Sequence, residues 1–291
     1  MVDAPNVALI FEGGGMRNSY TAACVDQLIA HNVSFGWVGG ISAGATHSAN
    51  FLSHDRWRAT HSFVEFGADP RTGGVRSLLR GTGYFNAEYV FEIAGAPGER
   101  LPFDWETFVN EPTPLRIGAT RADNGETVYW GREDFKDLKD FMLRMRCSGT
   151  LPGLMPTPTI DGVDYVDGAL GRSGGLAVDA AMDDGFEKFL ILRTRPRGFR
   201  RTPPRSPRLI RRLLRSRPAV AEAMLTRHKR YNHYAEVIEQ LESDGKALVF
   251  YPDDMRIQNT ERNLQKLKQS FNAGMAQTVR EWDSWMEFLQ Q

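Results

Sequence analysis

The chain has 291 residues, 41% of them hydrophobic and 25% charged, which is enough to bury one large core and is ordinary for a globular protein. Its formal net charge of zero excludes an overall electrostatic attraction to nucleic acid, so we expect no nucleic-acid partner. The two cysteines, Cys24 and Cys147, lie far apart and favour buried free thiols in a reducing compartment over a disulfide framework.

The N-terminus predicts no targeting segment, because Met1-Val2-Asp3-Ala4-Pro5 has neither a cationic region nor a long apolar one. No later stretch approaches the roughly 20 apolar residues of a membrane span. We therefore expect a single domain over residues 1–291, located in the cytoplasm, with any membrane contact being peripheral.

The first half of the chain alternates short apolar runs with helical periodicity, a pattern that predicts an α/β fold with a mainly parallel sheet covered by helices. Strands are predicted over Asn6–Glu12 and Trp37–Ile41, with a helix over about Ser19–Ala30 between them. The other predicted elements are helices after Ser42 and over 54–66 and 86–93, strands over 188–192 and 247–251, and a long amphipathic helix over 260–289.

Two hairpins are predicted in the middle of the chain, because short strand-like runs flank residues that favour turns. The first turn is Asp123-Asn124-Gly125 and the second is Asp161-Gly162. The second hairpin ends at Asp167, so an aspartate lies where a strand gives way to the flexible sequence Gly168-Ala169. The strands predicted around these turns are 114–119, 126–130, 158–160 and 163–166.

A Gly-x-Ser-x-Gly sequence, Gly40-Ile41-Ser42-Ala43-Gly44, follows the second predicted strand. Between a strand and a helix this pattern is typical of a nucleophile elbow, where small residues allow a sharp turn that exposes the serine Oγ at a helix N-terminus. Ser42 is therefore the candidate nucleophile, with Gly40 and Gly44 as the elbow glycines. Taken alone, the same residues are equally compatible with a tight turn that has no catalytic role.

A glycine loop, Gly13-Gly14-Gly15, follows the first predicted strand. Backbone N–H groups that have no Cβ beside them can donate to a developing oxyanion. Because adjacent parallel strands bring their C-terminal loops to the same edge of a sheet, this loop is expected to face Ser42 as the oxyanion hole. The two motifs together favour an acyl-transfer enzyme.

A serine nucleophile needs a base, and the usual histidine fits this chain poorly. Four of the six histidines lie close to Ser42 in sequence, and His47 points to a different side of its helix. His228 and His233 lie in a polar helical stretch and are interpreted as solvated or locally bonded. A direct Ser–Asp pair with Asp167 as base is therefore the leading interpretation, and a Ser-His-Asp esterase is the alternative.

The three motifs resemble those of the patatin-like phospholipases: Gly-Gly-Gly-x-Arg at Gly13–Arg17, Gly-x-Ser-x-Gly at Gly40–Gly44 and Asp-Gly-Ala at Asp167–Ala169, in the family's order. The resemblance spans about Val7–Leu192, and the run Arg146–Pro152 is similar to a bacterial branch of the family. It implies a three-layer α/β fold and a lipid acyl hydrolase that uses a Ser–Asp dyad without a metal or cofactor.

Carried over residue by residue, the resemblance implies a role for each motif: Ser42 as nucleophile, Asp167 as base, and Gly13, Gly14 and Gly15 with Arg17 as the oxyanion region. Asn18 departs from the family, which usually has glycine there. Asparagine tolerates a left-handed backbone, so the turn is expected to persist. The substrates implied are phospholipids or related lipid esters.

Residues 193–217 form a basic segment with eleven arginines and no acidic residue. Within it, four apolar residues and four arginines have the spacing of a short basic amphipathic helix that would dock on anionic lipid. A solvated helix whose leucines pack on the body of the protein is at least as compatible with the pattern. The apolar residues are Leu209, Ile210, Leu213 and Leu214, and the arginines are Arg208, Arg211, Arg212 and Arg215.

Two other classes of protein share parts of this pattern. A dinucleotide-binding fingerprint also has a strand, a glycine loop and a helix, but Asn18 occupies its third glycine position and no acidic residue ends the second strand. A non-catalytic lipid-binding protein of the same fold is the stronger rival, because a motif does not establish activity.

Overall fold

The computed structural model describes residues 2–291, apart from the side chains at positions 75 and 76. Its centre is an eight-stranded sheet in which seven strands follow the order β5-β6-β3-β2-β1-β7-β8. Strands β2 and β6 share one edge of β3, and β4 pairs with the other edge. The strands are Val2–Phe11 (β1), Val33–Ile41 (β2), Leu115–Arg121 (β3), Thr127–Trp130 (β4), Thr159–Ile160 (β5), Val163–Asp167 (β6), Lys188–Leu192 (β7) and Ala247–Phe250 (β8).

Helices cover both faces of the sheet. They are Asn18–Ala30 (α1), Ala43–Leu52 (α2), Arg56–His61 (α3), Val75–Leu79 (α4), Trp105–Asn110 (α5), Leu138–Gly149 (α6), Val178–Asp183 (α7), Pro207–Leu213 (α8), Pro218–Ser243 (α9) and Leu264–Gln290 (α10). A turn of π-helix, Tyr89–Ile93, lies between α4 and α5, and a 3₁₀ turn, Gly15–Arg17, directly precedes α1.

The predicted three-layer α/β architecture is confirmed. Strand β1 is buried on both faces, with Leu9 and Phe11 packed in the core beneath α1, α2 and α10, and Ile10 in the core beneath α7 and α9. Strands β3, β2, β1, β7 and β8 run parallel to one another. Such strands form continuous apolar runs because neither face meets water.

The pairing of β3 with β2 and β6 determines where Asp167 lies relative to the turn that contains Ser42. On one edge of β3, residues Leu115–Gly118 pair with the last residues of β2, and on the same edge Ala119 pairs with Asp167 of β6. The opposite edge is occupied by β4, which pairs with 117–120. Strand β6 therefore continues the line of β2 beyond its end, and this places Asp167 beside the turn that follows Ile41.

Both predicted hairpins are confirmed, with β4 antiparallel to β3 and β5 antiparallel to β6. Other boundaries differ from the prediction. The helix predicted over 54–66 is limited to Arg56–His61, because His54 has a left-handed backbone (φ 52°) and the Asp55 side chain caps the helix by accepting from the Arg58 N–H. Strand β2 begins at Val33, four residues before the predicted start at Trp37.

Candidate active site

Ser42 occupies a strained turn between β2 and α2. Its backbone angles, φ 60° and ψ −125°, are rare for a residue with a side chain, and such strain costs about 1–3 kcal/mol. Close packing requires glycine on both sides: a Cβ at Gly44 would lie 2.2 Å from the Phe11 carbonyl oxygen, and one at Gly40 would lie 2.5 Å from the Gly44 backbone. The turn thus has the form of a nucleophile elbow at the N-terminus of α2.

A second serine holds this turn. The hydroxyl of Ser148, at the end of α6, donates to the Gly118 carbonyl at 2.6 Å and accepts from the Ser42 N–H at 2.8 Å. Ser148 is fully buried, so this bridge from β3 to the elbow is shielded from water. Sequence reasoning assigned Ser148 no role, although it lies in the run Arg146–Pro152 that resembles the bacterial patatin-like proteins.

Asp167 is buried at the end of β6, with 4% of its surface exposed. Its Oδ1 accepts from the Ala169 N–H at 2.8 Å, and its backbone N–H donates to the Thr150 carbonyl at 2.8 Å. Burial raises the pKa of the carboxyl above its ordinary value, while Arg227, the Ala169 N–H and the Ser42 hydroxyl act to lower it. A carboxylate made more basic by desolvation is better suited to accept a proton.

The Ser42 hydroxyl is close enough to the Asp167 carboxylate to act on its pKa. In the part of the chain that the structure describes, the two side chains do not reach the distance and angles of a regular hydrogen bond, and catalytic pairs are often this loose before substrate binds. The structure therefore brings together the two residues that the sequence singled out as nucleophile and base.

The glycine loop supplies backbone donors beside Ser42. The Gly13 N–H donates to the Gly175 carbonyl at 3.2 Å, so it is already engaged, whereas the Gly14 and Gly15 N–H groups have no acceptor within the described chain. The segment between β8 and α10 also holds the loop in place, because the Met16 N–H donates to the Asn259 carbonyl at 3.0 Å. Of the three candidate oxyanion donors, the N–H groups of Gly14 and Gly15 are therefore the two that remain available.

Asn18 does not need the left-handed conformation expected from the sequence. Its backbone is right-handed, with φ −66° and ψ −6°, and the positive φ of the loop falls at Gly15. The Asn18 side chain donates to the Gly15 carbonyl at 3.1 Å. The departure from the family pattern therefore adds a hydrogen bond that closes the turn.

A buried ion pair connects the ends of β1 and β7 beneath the loop. Glu12 accepts from Arg193 at 2.9 Å, from the Thr194 N–H at 2.8 Å and from the Tyr231 hydroxyl at 2.7 Å. Burial alone would raise the pKa of Glu12, but Arg193 and these donors hold it below its ordinary value. Because all its partners are satisfied, Glu12 stays ionised and fixes the start of the glycine loop.

These groups meet in a cavity of about 380 Å³ that is large enough for a small-molecule ligand. One part of its wall is apolar and comes mainly from α6 and the segments around α3 and the π-helix. The other part carries Ser42, Asp167 and the glycine loop together with several arginines. The apolar side chains include Phe63, Phe66, Phe91, Phe141, Met142 and Met145.

None of the six histidines, all of which lie within residues 2–291, lines this cavity. His47 is fully buried, with Nε2 3.1 Å from the Asn18 carbonyl oxygen, and burial lowers its pKa to about 3. His228 and His233 lie on α9 outside the cavity. The placement of the histidines thus favours the Ser–Asp pair over a Ser-His-Asp triad.

The basic segment contains α8 and Leu214, which directly follows it, and the apolar residues of this stretch lie in two environments. Leu209 and Leu213 are 53% and 71% exposed, whereas Leu214 packs against the buried side chains of Val166 and Val220. The four arginines of the predicted stripe are all exposed. In the part of the chain that the structure describes, no helix combines the length and the apolar character that crossing a membrane requires.

Comparison with known proteins identifies two matching regions. The patatin-like phospholipase family matches residues 9–181, and a domain of unknown function, DUF6363, matches residues 217–290. The uncharacterized protein YjjU of Escherichia coli (strain K12) is 24% identical over 204 residues, which cover 68% of this chain and 54% of YjjU. The chain thus spans about half the length of this curated relative.

Among solved structures, VipD from Legionella pneumophila has a similar fold. The two superpose with a TM-score of 0.52 and 12% sequence identity, over 96% of this chain and 67% of VipD. The family match covers more than half of the 291 residues and includes the glycine loop, the elbow and Asp167. The chain belongs to the patatin-like phospholipase family.

Proposed function

We propose that the protein is a serine hydrolase of lipid carboxylic esters, with Ser42 as nucleophile and Asp167 as base. The observation that carries the proposal is the placement of a strained, cavity-facing serine beside a buried carboxylate and two free backbone N–H groups. Family membership supports a lipid acyl hydrolase in general, and the geometry supports the specific roles.

In the first half of the reaction, Ser42 Oγ attacks the ester carbonyl carbon while its proton passes to Asp167. The oxyanion accepts hydrogen bonds from the Gly14 and Gly15 N–H groups, and a good donor of this kind contributes about 3–4 kcal/mol. The tetrahedral intermediate then collapses, the C–O bond to the alcohol breaks, and the alcohol leaves with the proton from Asp167. The acyl group remains on Ser42.

In the second half, Asp167 takes a proton from water, and the resulting hydroxide attacks the acyl-enzyme. Collapse of this second intermediate releases the carboxylic acid and returns the proton to Ser42. The positive end of the α2 dipole, directly at Ser42, favours the negative charge that develops in both halves. An aspartate is a weaker base than histidine, so these electrostatic contributions carry a large share of the acceleration.

The test is hydrolysis of a panel of lipid esters, with products identified by mass spectrometry. We expect wild type to release fatty acid from at least one class of the panel, and Ser42→Ala to release none above background. A non-catalytic lipid-binding protein of the same fold would bind these lipids without releasing acid from any of them. Equal turnover by wild type and Ser42→Ala would assign the activity to another residue or to a contaminant.

We further propose that the protein is cytoplasmic and that α8 contacts anionic membranes peripherally. The exposed Leu209 and Leu213 are flanked by arginines, and each arginine near an anionic surface contributes about 1 kcal/mol. Changing Arg208, Arg211, Arg212 and Arg215 to glutamate is therefore expected to reduce hydrolysis of anionic vesicles at least tenfold, and less so in high salt.

The control for this variant is a small soluble ester, whose turnover needs the catalytic groups but no interface. We expect the charge-reversed variant to hydrolyse it at the wild-type rate. If the variant and wild type have the same relative activity on anionic and zwitterionic vesicles, α8 is a solvated helix with no membrane role.

A further inference from the structure

The cavity wall carries a marked excess of positive charge. Six arginines line the cavity, and Asp167 is the one acidic side chain among its described lining residues. Arg58 and Arg262 donate to neutral groups, the Asn50 side chain and the Asp69 carbonyl, and are not among the four arginines whose charges act on one another. The remaining four form what we call the guanidinium cluster: Arg17, Arg195, Arg201 and Arg227.

The guanidinium cluster has no carboxylate partners within residues 2–291, in contrast to its neighbours in sequence. Arg193, Arg197 and Arg200 pair with Glu12, Glu242 and Glu239, at 2.9, 2.5 and 2.5 Å. The Nε atoms of Arg17, Arg195 and Arg201 are instead buried without any acceptor. Arg17 is only 5% exposed, so its guanidinium group is largely shielded from bulk water.

The cluster is held in place by contacts that do not neutralise it. Arg195 lies over the Phe199 ring at 4.3 Å, and Arg201 lies over the Tyr231 ring at 4.5 Å. Arg227 donates to the Gly174 carbonyl at 3.1 Å, beside the turn that follows Asp167. Burial and mutual repulsion lower the pKa of Arg17 to about 10, and that of Arg227 to about 10. Such an arrangement is complementary to an anion.

We propose that the guanidinium cluster binds a phosphate monoester on the substrate, so that the preferred substrate is an acyl ester with a phosphate head group. This inference rests on the proposed hydrolase function. The four guanidinium charges exceed the single charge of Asp167 by three, and Arg58 and Arg262 add two further positive charges to the wall. A phosphate monoester contributes about −1.5 to −2 and so offsets much of this excess. The oxyanion of the tetrahedral intermediate adds no net charge, because the Ser42 proton passes to Asp167 as it forms. A choline head group, in contrast, would place a further positive charge beside these arginines and would be disfavoured.

The apolar part of the wall fits the rest of such a molecule. The acyl chain would contact Phe91, Met142 and Met145, while the phosphate contacts the guanidinium cluster. The ester would lie between them at Ser42. The same cavity therefore accounts for both ends of an amphiphile with one charged end.

The test compares two soluble esters with the same short acyl chain, one on glycerol 3-phosphate and one on glycerol. We expect wild type to have a kcat/KM at least tenfold higher for the phosphate ester, and Arg195→Gln/Arg201→Gln to lose this preference, which is measured as the ratio of the two kcat/KM values within each protein. The matched control is Arg197→Gln/Arg200→Gln, which changes two salt-bridged arginines of the same segment and should keep the preference.

A binding measurement separates failure of this inference from failure of the hydrolase proposal. Calorimetry on Ser42→Ala would compare a non-hydrolysable ether analogue that carries phosphate, the uncharged ether, and inorganic phosphate. We expect the phosphate ether to bind at least tenfold more tightly than either of the others, and to lose this advantage in the Arg195→Gln/Arg201→Gln background. This result would support the inference even if no ester were hydrolysed.

Two outcomes would overturn the inference. Equal affinity for the charged and uncharged ethers would show that the cluster does not recognise a head group. Inorganic phosphate binding as tightly as the phosphate ether, without a preference between the two esters, would make the cluster a site for a free anion.

Discussion

Asp167→Asn is expected to reduce kcat on a soluble ester by about 10²–10⁴-fold, the contribution typical of a general base. Asparagine keeps the acceptor for the Ala169 N–H, so the turn after β6 should persist while the ability to take a proton is lost. If Ser42 and Asp167 act as a unit, the double variant Ser42→Ala/Asp167→Asn should be no worse than Ser42→Ala.

The controls are His228→Ala and His233→Ala, which should retain most activity because neither side chain lines the cavity. A pH profile gives a second measure. Since Asp167 must be ionised and burial raises its pKa, kcat/KM of wild type should rise with pH through a value above that of an ordinary aspartate. Loss of activity in either histidine variant, with Asp167→Asn still active, would replace the dyad by a triad.

The turn at Ser42 and the second hairpin could be predicted from the sequence, because each depends on a backbone conformation that particular residues favour. The glycines around Ser42 are needed for a turn that no larger residue allows, and the Asp161-Gly162 turn fixed the second hairpin through two left-handed residues, φ 50° and 80°. The hairpin turn depends on neighbouring residues alone, whereas Gly44 is also required by the close approach of the Phe11 backbone on β1. The pairing of Asp167 with Ala119, on the edge shared with β2, is a long-range property that no local pattern encodes.

The helices from the middle of the chain onward were predicted less completely. Helix α6 was not predicted. For α9, the sequence pattern indicates only a polar helical stretch around His228 and His233, whereas the helix spans Pro218–Ser243. Seven of its 26 residues are buried, so its apolar stripe is sparse in the sequence. The long C-terminal helix is confirmed but begins at Leu264, where Asn263 caps it, four residues after the predicted start.

The guanidinium cluster could not have been identified from composition. The basic segment contains both paired and unpaired arginines at intervals of one to four residues. Only the fold shows that Arg197 and Arg200 pair with glutamates of α9, while Arg195 and Arg201 line the cavity. Arg17 and Arg227 join them from positions more than two hundred residues apart. Charge density in a sequence therefore indicates a basic region without showing which charges lack a partner.

The region that matches DUF6363 contributes directly to the patatin-like cavity. Arg227, Asn259 and Arg262 line the cavity, and the Asn259 carbonyl accepts from Met16 of the glycine loop. Helix α10 packs along α1 and β1. We propose that residues 1–291 work as a single domain, in which the C-terminal region completes and positions the catalytic loop.

Covalent labelling with a fluorophosphonate probe tests the central claim most directly. An activated serine attacks phosphorus as it attacks a carbonyl carbon, and the adduct resembles the tetrahedral state held by the Gly14 and Gly15 N–H groups. Intact-protein mass spectrometry followed by peptide mapping should show one adduct, on Ser42, which is absent in Ser42→Ala and forms more slowly in Asp167→Asn. Folded wild-type protein that acquires no adduct on Ser42 would contradict the assignment of the nucleophile.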